Sequence, residues 1–288
     1  MKTTSKHNFV ERNLRRLRSN RYWIETAALR MFGVHYETAK NVMFGKKNQF
    51  SELHLFADYL RRQTPRGTMV DVGAQYGESF APFAAFGWKI LAFEPDPNAA
   101  KLTAITGRST KNVSLFKLAI SNKEGEVPFY ASPVSTGVST LNPFLDTHEQ
   151  VTMVKTTTLA NALREQSIGK VDFLKIDTEG HDLFVLEGVD WEVSRPTAVL
   201  CEFDEKKTLQ LGYSFSDMAS LLVEKGYEVF VSEWYPIEQY GVDQRWRSFK
   251  KYECSLASPD GWGNLVAISA DSSVSFHDYL ARRRIAFE

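Results

Sequence analysis

Residues 69–95 read MVDVGAQYGESFAPFAAFGWKILAFEP, in the order strand, glycine loop, helix, strand, acid. Met69, Val70 and Val72 are β-favouring residues around Asp71. Gly73 and Gly77 permit a tight turn and a close backbone approach to a ligand. Glu78 to Phe86 reads as a helix whose first N–H groups face that ligand, and Ile90-Leu91-Ala92-Phe93 as a second strand ending at Glu94. A carboxylate at that strand tip, about 20 residues past the loop, suits ribose hydroxyls. The pattern therefore predicts a nucleotide-type crevice.

The loop itself is Gly73-Ala74-Gln75-Tyr76-Gly77. A dinucleotide fingerprint needs a second glycine where Gln75 stands, so that a pyrophosphate can press on the backbone, and a P-loop needs a Lys-Ser or Lys-Thr pair. Both are missing, which disfavours a diphosphate. Asp71 would repel a phosphate but suits an ammonium or sulfonium centre, and S-adenosylmethionine carries both together with a ribose. The competing readings are a βαβ unit whose glycines serve packing only, an NAD-linked oxidoreductase weakened by the missing glycine, and a non-catalytic cofactor-binding protein.

With 288 residues, 43% of them hydrophobic, the chain is large enough for one sizeable core and an accessory region. The two cysteines are Cys201, within the apolar run from Thr197, and Cys254; this usage implies a reducing compartment. The first residues contain no apolar signal core, and no apolar run approaches about 18 residues, so a cytoplasmic protein is expected.

Charge divides the chain. Residues 1–66 hold 14 of the 35 basic residues and 5 of the 35 acidic ones, a net of +9 balanced by −9 in residues 67–288. We read 1–66 as a basic helical extension and 67–288 as the body. Val10, Leu14, Leu17, Ile24, Ala28 and Met31 form one stripe of an amphipathic helix, with Arg12, Arg15, Arg16 and Arg18 largely off it. A second helix starts near the N-cap Ser51 and buries Leu53, Phe56, Ala57 and Leu60. Interleaved apolar residues favour packing on the acidic body, on a second copy of the chain or on a membrane surface, and argue against nucleic acid.

From Gly67 onward the alternation predicts an α/β fold with a mostly parallel sheet. Strands are expected at 68–72, 89–93, 113–118, 171–176, 197–203, 227–232 and 264–269. Helices are expected near 78–86, 97–106, 158–166, 180–188 and 216–225. Residues 121–157 break the order with Gly125, Pro128, Pro133, Gly137 and Pro143 between short β-prone pieces, an insert placed where it can shape a substrate pocket.

A second cluster, VDFLKIDTEGHDLFVLEG at 171–188, sets Asp177 and Glu179 at a strand's carboxyl end, where open α/β sheets bind ligands. Together with Asp71-Val72-Gly73-Ala74, Ala92-Phe93-Glu94-Pro95 and Leu118-Ala119-Ile120-Ser121 followed by Gly125, the Lys175-Ile176-Asp177-Thr178-Glu179-Gly180 and Leu186-Glu187-Gly188 segments resemble the FkbM family of S-adenosylmethionine-dependent methyltransferases. The similarity spans roughly residues 67–270. The resemblance implies a class I methyltransferase fold, Rossmann-like and three-layered, with a seven-stranded sheet and a reversed last hairpin. It also implies O-methylation of sugar, glycolipid or natural-product hydroxyls. Asp71, Gly73, Ala74, Gln75, Tyr76, Gly77, Glu94, Pro95, Leu118, Ala119 and Asp177 are then the expected cofactor contacts. His181-Asp182, Gln75-Tyr76 and Ala160 depart from the family's usual residues.

An alcohol attacks a methyl carbon poorly until its proton leaves, so a general base is sought at the strand tips. The candidates by position are Asp177, Glu179, His181 and Glu202. His181 is the histidine near a strand end in the crevice, with a surface hydrogen bond from a helix's first turn as the alternative, and capping of the following helix is the alternative for Asp177 and Glu179. Asp177, Glu179 and Glu202 also offer an oxygen set for magnesium, although no metal is assigned. Trp234, Tyr235, Tyr240 and Trp246 are candidates for stacking on sugar rings or for the core. Arg245, Arg247, Lys250 and Lys251 are candidates for an anionic substrate group or a solvated face.

Overall fold

The computed structural model describes residues 50–75, 77, 79–97, 111–132, 135–237, 244–272 and 274–288. The amphipathic helix expected over 10–31, most of the helix expected over 97–106, and Tyr76, Glu78, Pro133 and Tyr240 lie outside them.

The first described elements are α1 (Glu52–Arg61), β1 (Thr68–Val72), α2 (Ala81–Ala85), β2 (Lys89–Phe93) and β3 (Val113–Phe116). The insert follows as β4 (Ala119–Ser121), β5 (Gly125–Ser132), β6 (Ser135–Thr140) and β7 (Glu149–Thr158). Then come α3 (Leu159–Glu165), β8 (Phe173–Ile176), α4 (Asp182–Glu187), β9 (Ala198–Asp204) and α5 (Glu205–Thr208). The chain closes with α6 (Phe215–Glu224), β10 (Tyr227–Trp234), β11 (Trp246–Lys251), β12 (Trp262–Ser269) and α7 (Phe276–Arg282).

The main sheet runs β3-β2-β1-β8-β9-β12-β10-β11. Pairing is parallel from β3 to β9, and β12 is antiparallel to both of its neighbours, which is the expected reversed last hairpin. Seven strands fall where the sequence placed them. Among the described residues the sheet nevertheless has eight, which corrects the seven-stranded expectation: β11, WRSFKK, adds antiparallel to β10 at the edge. Its cations hid it, because an edge strand tolerates lysines that a central strand would not.

Strands such as β1 and β9 are buried on both faces, as a sheet covered on two sides requires. One face packs α3, α4 and α6 around Val70, Leu174, Val185, Leu186 and Met218. The other packs α1, α2 and α7 around Phe56, Tyr59, Phe173, Phe230 and Phe276. Phe276 lies between the Phe56 ring at 5.4 Å and the Phe230 ring at 5.3 Å, and burying one such ring contributes about 1.5–3 kcal/mol. The result is the three-layer class I methyltransferase arrangement. Among the described residues no helix is long and apolar enough to cross a membrane.

Two local readings change. The helix expected from Glu78 starts only at Ala81, because Pro82 has no N–H to bond a carbonyl four residues earlier and is tolerated only in a first turn. The insert is more regular than its prolines suggested: β4-β7-β5-β6 form a second sheet over a small core of Ala119, Phe129 and Val154. The helix expected at Ser51 is present, with the Ser51 hydroxyl accepting from the His54 N–H. Its first residue is anchored unusually: the buried Glu52 Oε1 accepts from Ser232 Oγ at 2.8 Å, Trp234 Nε1 at 2.7 Å and Asn264 Nδ2 at 3.1 Å.

Candidate active site

The carboxyl ends of β1, β2 and β8 border a cleft of about 350 Å³, roofed by the β6 end of the insert. That is within the size range of small-molecule sites. Registers Val72↔Phe93 and Val72↔Ile176 bring the glycine loop, Glu94 and Asp177 side by side.

Gly73 has φ +78, and a Cβ there would lie 1.8 Å from the Asp177 carbonyl oxygen, so only glycine lets the loop cross the end of β8. Gln75 follows with φ 44 and donates its N–H to Glu94 Oε2 at 2.7 Å, while the Asp96 N–H donates to Oε1 at 2.8 Å. Glu94 is thus fixed at the cleft wall with lone pairs remaining on both oxygens. Burial pushes its pKa up to about 7, against the pull of the Asp96 and Gln75 amides.

Asp71 does not line the cleft. It is fully buried beneath it, accepts from the Ser79 hydroxyl and lies 3.3 Å from Lys175 Nζ. Burial raises its pKa, with Lys175 opposing. Ser79 and Lys175 are the groups on the surface above it. Lys175 Nζ also donates to the Gly73 carbonyl at 3.0 Å and pairs with Asp177 Oδ2 at 3.4 Å. Burial works against the ammonium, yet Asp177 and Asp71 outweigh it and hold the lysine charged, above its ordinary pKa. Asp177 itself is 40% exposed in the cleft.

Further along, Glu179 has φ 58 and lines the cleft, its carbonyl accepting from Thr140 Oγ1 at 2.9 Å. Its carboxylate meets Lys207 Nζ at 2.6 Å, and the same ammonium lies 3.4 Å from Glu202 and 3.3 Å from Asp204. Burial raises Glu179 to about 7 and Glu202 well above the ordinary carboxylate value, both moderated by Lys207. The Asp177, Glu179 and Glu202 oxygens do lie within 4.8 Å of one another, but Lys207 already supplies the countercharge for Glu179 and Glu202, and Lys175 for Asp177.

His181 borders the cleft with both nitrogens engaged. Asn142 Nδ2 lies 2.9 Å from Nδ1 and Ser121 Oγ 2.9 Å from Nε2, so an amide donating to Nδ1 puts the ring proton on Nε2. Burial, with Lys123 adding, lowers its pKa to about 4.

Of the expected contacts, Gly73, Ala74, Gln75, Glu94, Pro95, Leu118, Ala119, Asp177, Glu179 and His181 border the cleft. Asp71, Gly77 and Glu202 stand behind it, and Tyr76 lies outside the described residues. Lys175, Ser79, Thr140, Leu53 and Lys207 were not among the site residues expected from sequence. Lys175 carried a signal, a cation within an otherwise apolar strand. Trp234 and Trp246 are not free to stack on a sugar: Trp234 is bound to Glu52, and Trp246 stacks on Phe50 at 3.8 Å. Lys250 pairs with Glu233, Lys251 with Glu228, Arg247 with Glu288, and Arg245 lies over the Tyr235 ring.

A family profile described as Methyltransferase FkbM domain matches residues 71–229. The hexuronic acid methyltransferase AglP of Haloferax volcanii is 24% identical over 180 residues, covering 61% of this chain and 69% of that protein. Among solved structures, a precorrin-6y C5,15-methyltransferase from Geobacter metallireducens aligns with TM-score 0.43 and 12% identity over 78% of this chain and 92% of that one. A magnesium protoporphyrin IX methyltransferase from Synechocystis PCC 6803 aligns with TM-score 0.42 and 9% identity over 86% and 97% of the two chains.

Proposed function

The chain belongs to the FkbM methyltransferase family, and on that premise we propose that it moves the methyl group of S-adenosylmethionine to a hydroxyl oxygen of a saccharide-type acceptor. The observation that carries this reading is Glu94, a buried carboxylate fixed by two backbone amides beside the glycine loop with lone pairs left for two vicinal hydroxyls. The donor set suits the rest of the cofactor. Pro95 and Leu118 offer an apolar wall, and Asp177 and Lys175 supply opposite charges for an amino acid terminus. When bound, S-adenosylmethionine supplies an electrophilic methyl group on an already activated leaving group.

The chain's own task is then to align an acceptor oxygen and remove its proton. We assign proton removal to Glu179. Its pKa of about 7 suits a base at neutral pH, and Lys207 receives the charge balance. His181, neutral and held between Ser121 and Asn142, orients the insert against α4. A saccharide acceptor is supported by the name of the curated relative, a hexuronic acid methyltransferase.

The test is calorimetric titration with S-adenosylhomocysteine and with NAD, followed by transfer of labelled methyl to neutral and uronic hexosides. Binding of S-adenosylhomocysteine and alkali-stable label, the mark of an ether, are expected. Binding of NAD alone, or label lost in alkali as from an ester, would refute the assignment.

A further inference from the structure

A second hollow of about 160 Å³ opens on the same rim as the cleft. Phe144 and Leu145 from the insert, Asp204 at the end of β9, Lys206 of α5, Asp260 and Trp262 at the start of β12 border it. Lys207 and Phe144 separate the two spaces: the ammonium contacts Glu179 of the cleft on one side and lies 5.3 Å from the Phe144 ring on the other.

Both rings are held in place before any ligand arrives. Trp262 Nε1 donates to the Tyr235 carbonyl at 2.7 Å, and its ring lies 5.5 Å from Trp234. Phe144 packs edge-on against His148 at 4.8 Å, and its N–H donates to His148 Nδ1 at 3.1 Å. Such fixed aromatic walls cost little ordering on binding. The charges between them are already balanced. Asp204 pairs with Lys207 at 3.3 Å and Asp260 with Lys206 at 3.6 Å. Paired carboxylates accept hydroxyl hydrogens well, but two of them would oppose an anionic guest. The volume is below the usual range for drug-sized ligands and suits one ring.

We propose that this hollow is an acceptor subsite that takes a neutral pyranose next to the sugar being methylated, so that the enzyme acts on an oligosaccharide rather than a lone sugar. The inference rests on the saccharide reading of the first cleft. A uronate or phosphate in this position would bring its charge beside Asp204 and Asp260 and is expected to bind less tightly than a neutral ring.

The test reads binding separately from turnover. Protein saturated with S-adenosylhomocysteine is titrated calorimetrically with cellobiose, maltose and lactose, with the methyl glycosides of their component hexoses, and with cellobiouronic acid. At least one neutral disaccharide is expected to bind tenfold or more tightly than its monosaccharides, and cellobiouronic acid more weakly than cellobiose. Trp262→Ala should bring that advantage below twofold. The exposed Asp260→Asn should reduce it at least threefold while leaving monosaccharide affinity within twofold. Equal affinity for disaccharides and monosaccharides, or an advantage unchanged in both variants, overturns the subsite. A disaccharide advantage without methyl transfer to any sugar keeps the subsite and rejects the proposed reaction instead.

Discussion

Lys207→Met removes a cation shared by three carboxylates, and its consequence follows from burial. The ammonium is 2% exposed and lies 2.6 Å from Glu179, 3.3 Å from Asp204 and 3.4 Å from Glu202. Breaking a buried ion pair by deleting one partner costs about 3–5 kcal/mol, a fall in melting temperature of roughly 6–20 °C for a domain near this size. The pH dependence sharpens the test. Glu179 has a folded pKa of about 7 against an ordinary 4.5, so the folded state binds that proton more tightly than the unfolded chain. Stability from this group is therefore greatest below about pH 4.5 and is lost as pH climbs through 7. Lys207 lowers the pKa of Glu179 and Glu202, so its removal raises both and extends the loss above neutrality. Denaturant unfolding at pH 5, 6, 7 and 8 should show the deficit of the variant growing with pH. A deficit below about 1 kcal/mol at pH 8, less than an ordinary buried pair, or one that is flat with pH, would refute the reasoning.

Glu94→Gln replaces one acceptor oxygen by an N–H₂ facing a backbone N–H, and should weaken S-adenosylhomocysteine about 10–100-fold by calorimetry; unchanged affinity would remove Glu94 from the cofactor site. Gly73→Ala sets a methyl 1.8 Å from the Asp177 carbonyl oxygen at φ +78, so binding should vanish and the melting temperature fall; a wild-type titration would contradict the loop geometry. Glu179→Gln should lower kcat about 10²–10⁴-fold and flatten the limb of the kcat/KM profile near pH 7. His181→Ala should stay within about tenfold of wild type, and a reversal of the two effects would move the base to the imidazole.

The sheet was legible because most of its strands are apolar runs, and the site because Glu94, Asp177 and Glu179 stand at strand tips. What escaped depended on contacts distant in sequence. Lys207 stands just past the expected end of β9 with nothing local to mark it, until α5 folds back on β8 and β9. Asp71 read as a ligand contact because periodicity cannot show that Ser79 and Lys175 cover it. His181 looked like a free base because Asn142 and Ser121 approach from 39 and 60 residues away. β11 was masked by its own lysines, and Trp262, rather than Trp234 or Trp246, proved to be the tryptophan on the rim.

The Glu52 anchor has a practical corollary. One side chain of α1 is sewn to β10 and β12, and the next residue, Leu53, touches the cleft. Trimming the protein back to Gly67 to obtain a minimal catalytic unit would strip three donors of their shared acceptor and open a breach in the pocket. Shortened versions should begin upstream of Phe50, or carry a substitute that refills that gap.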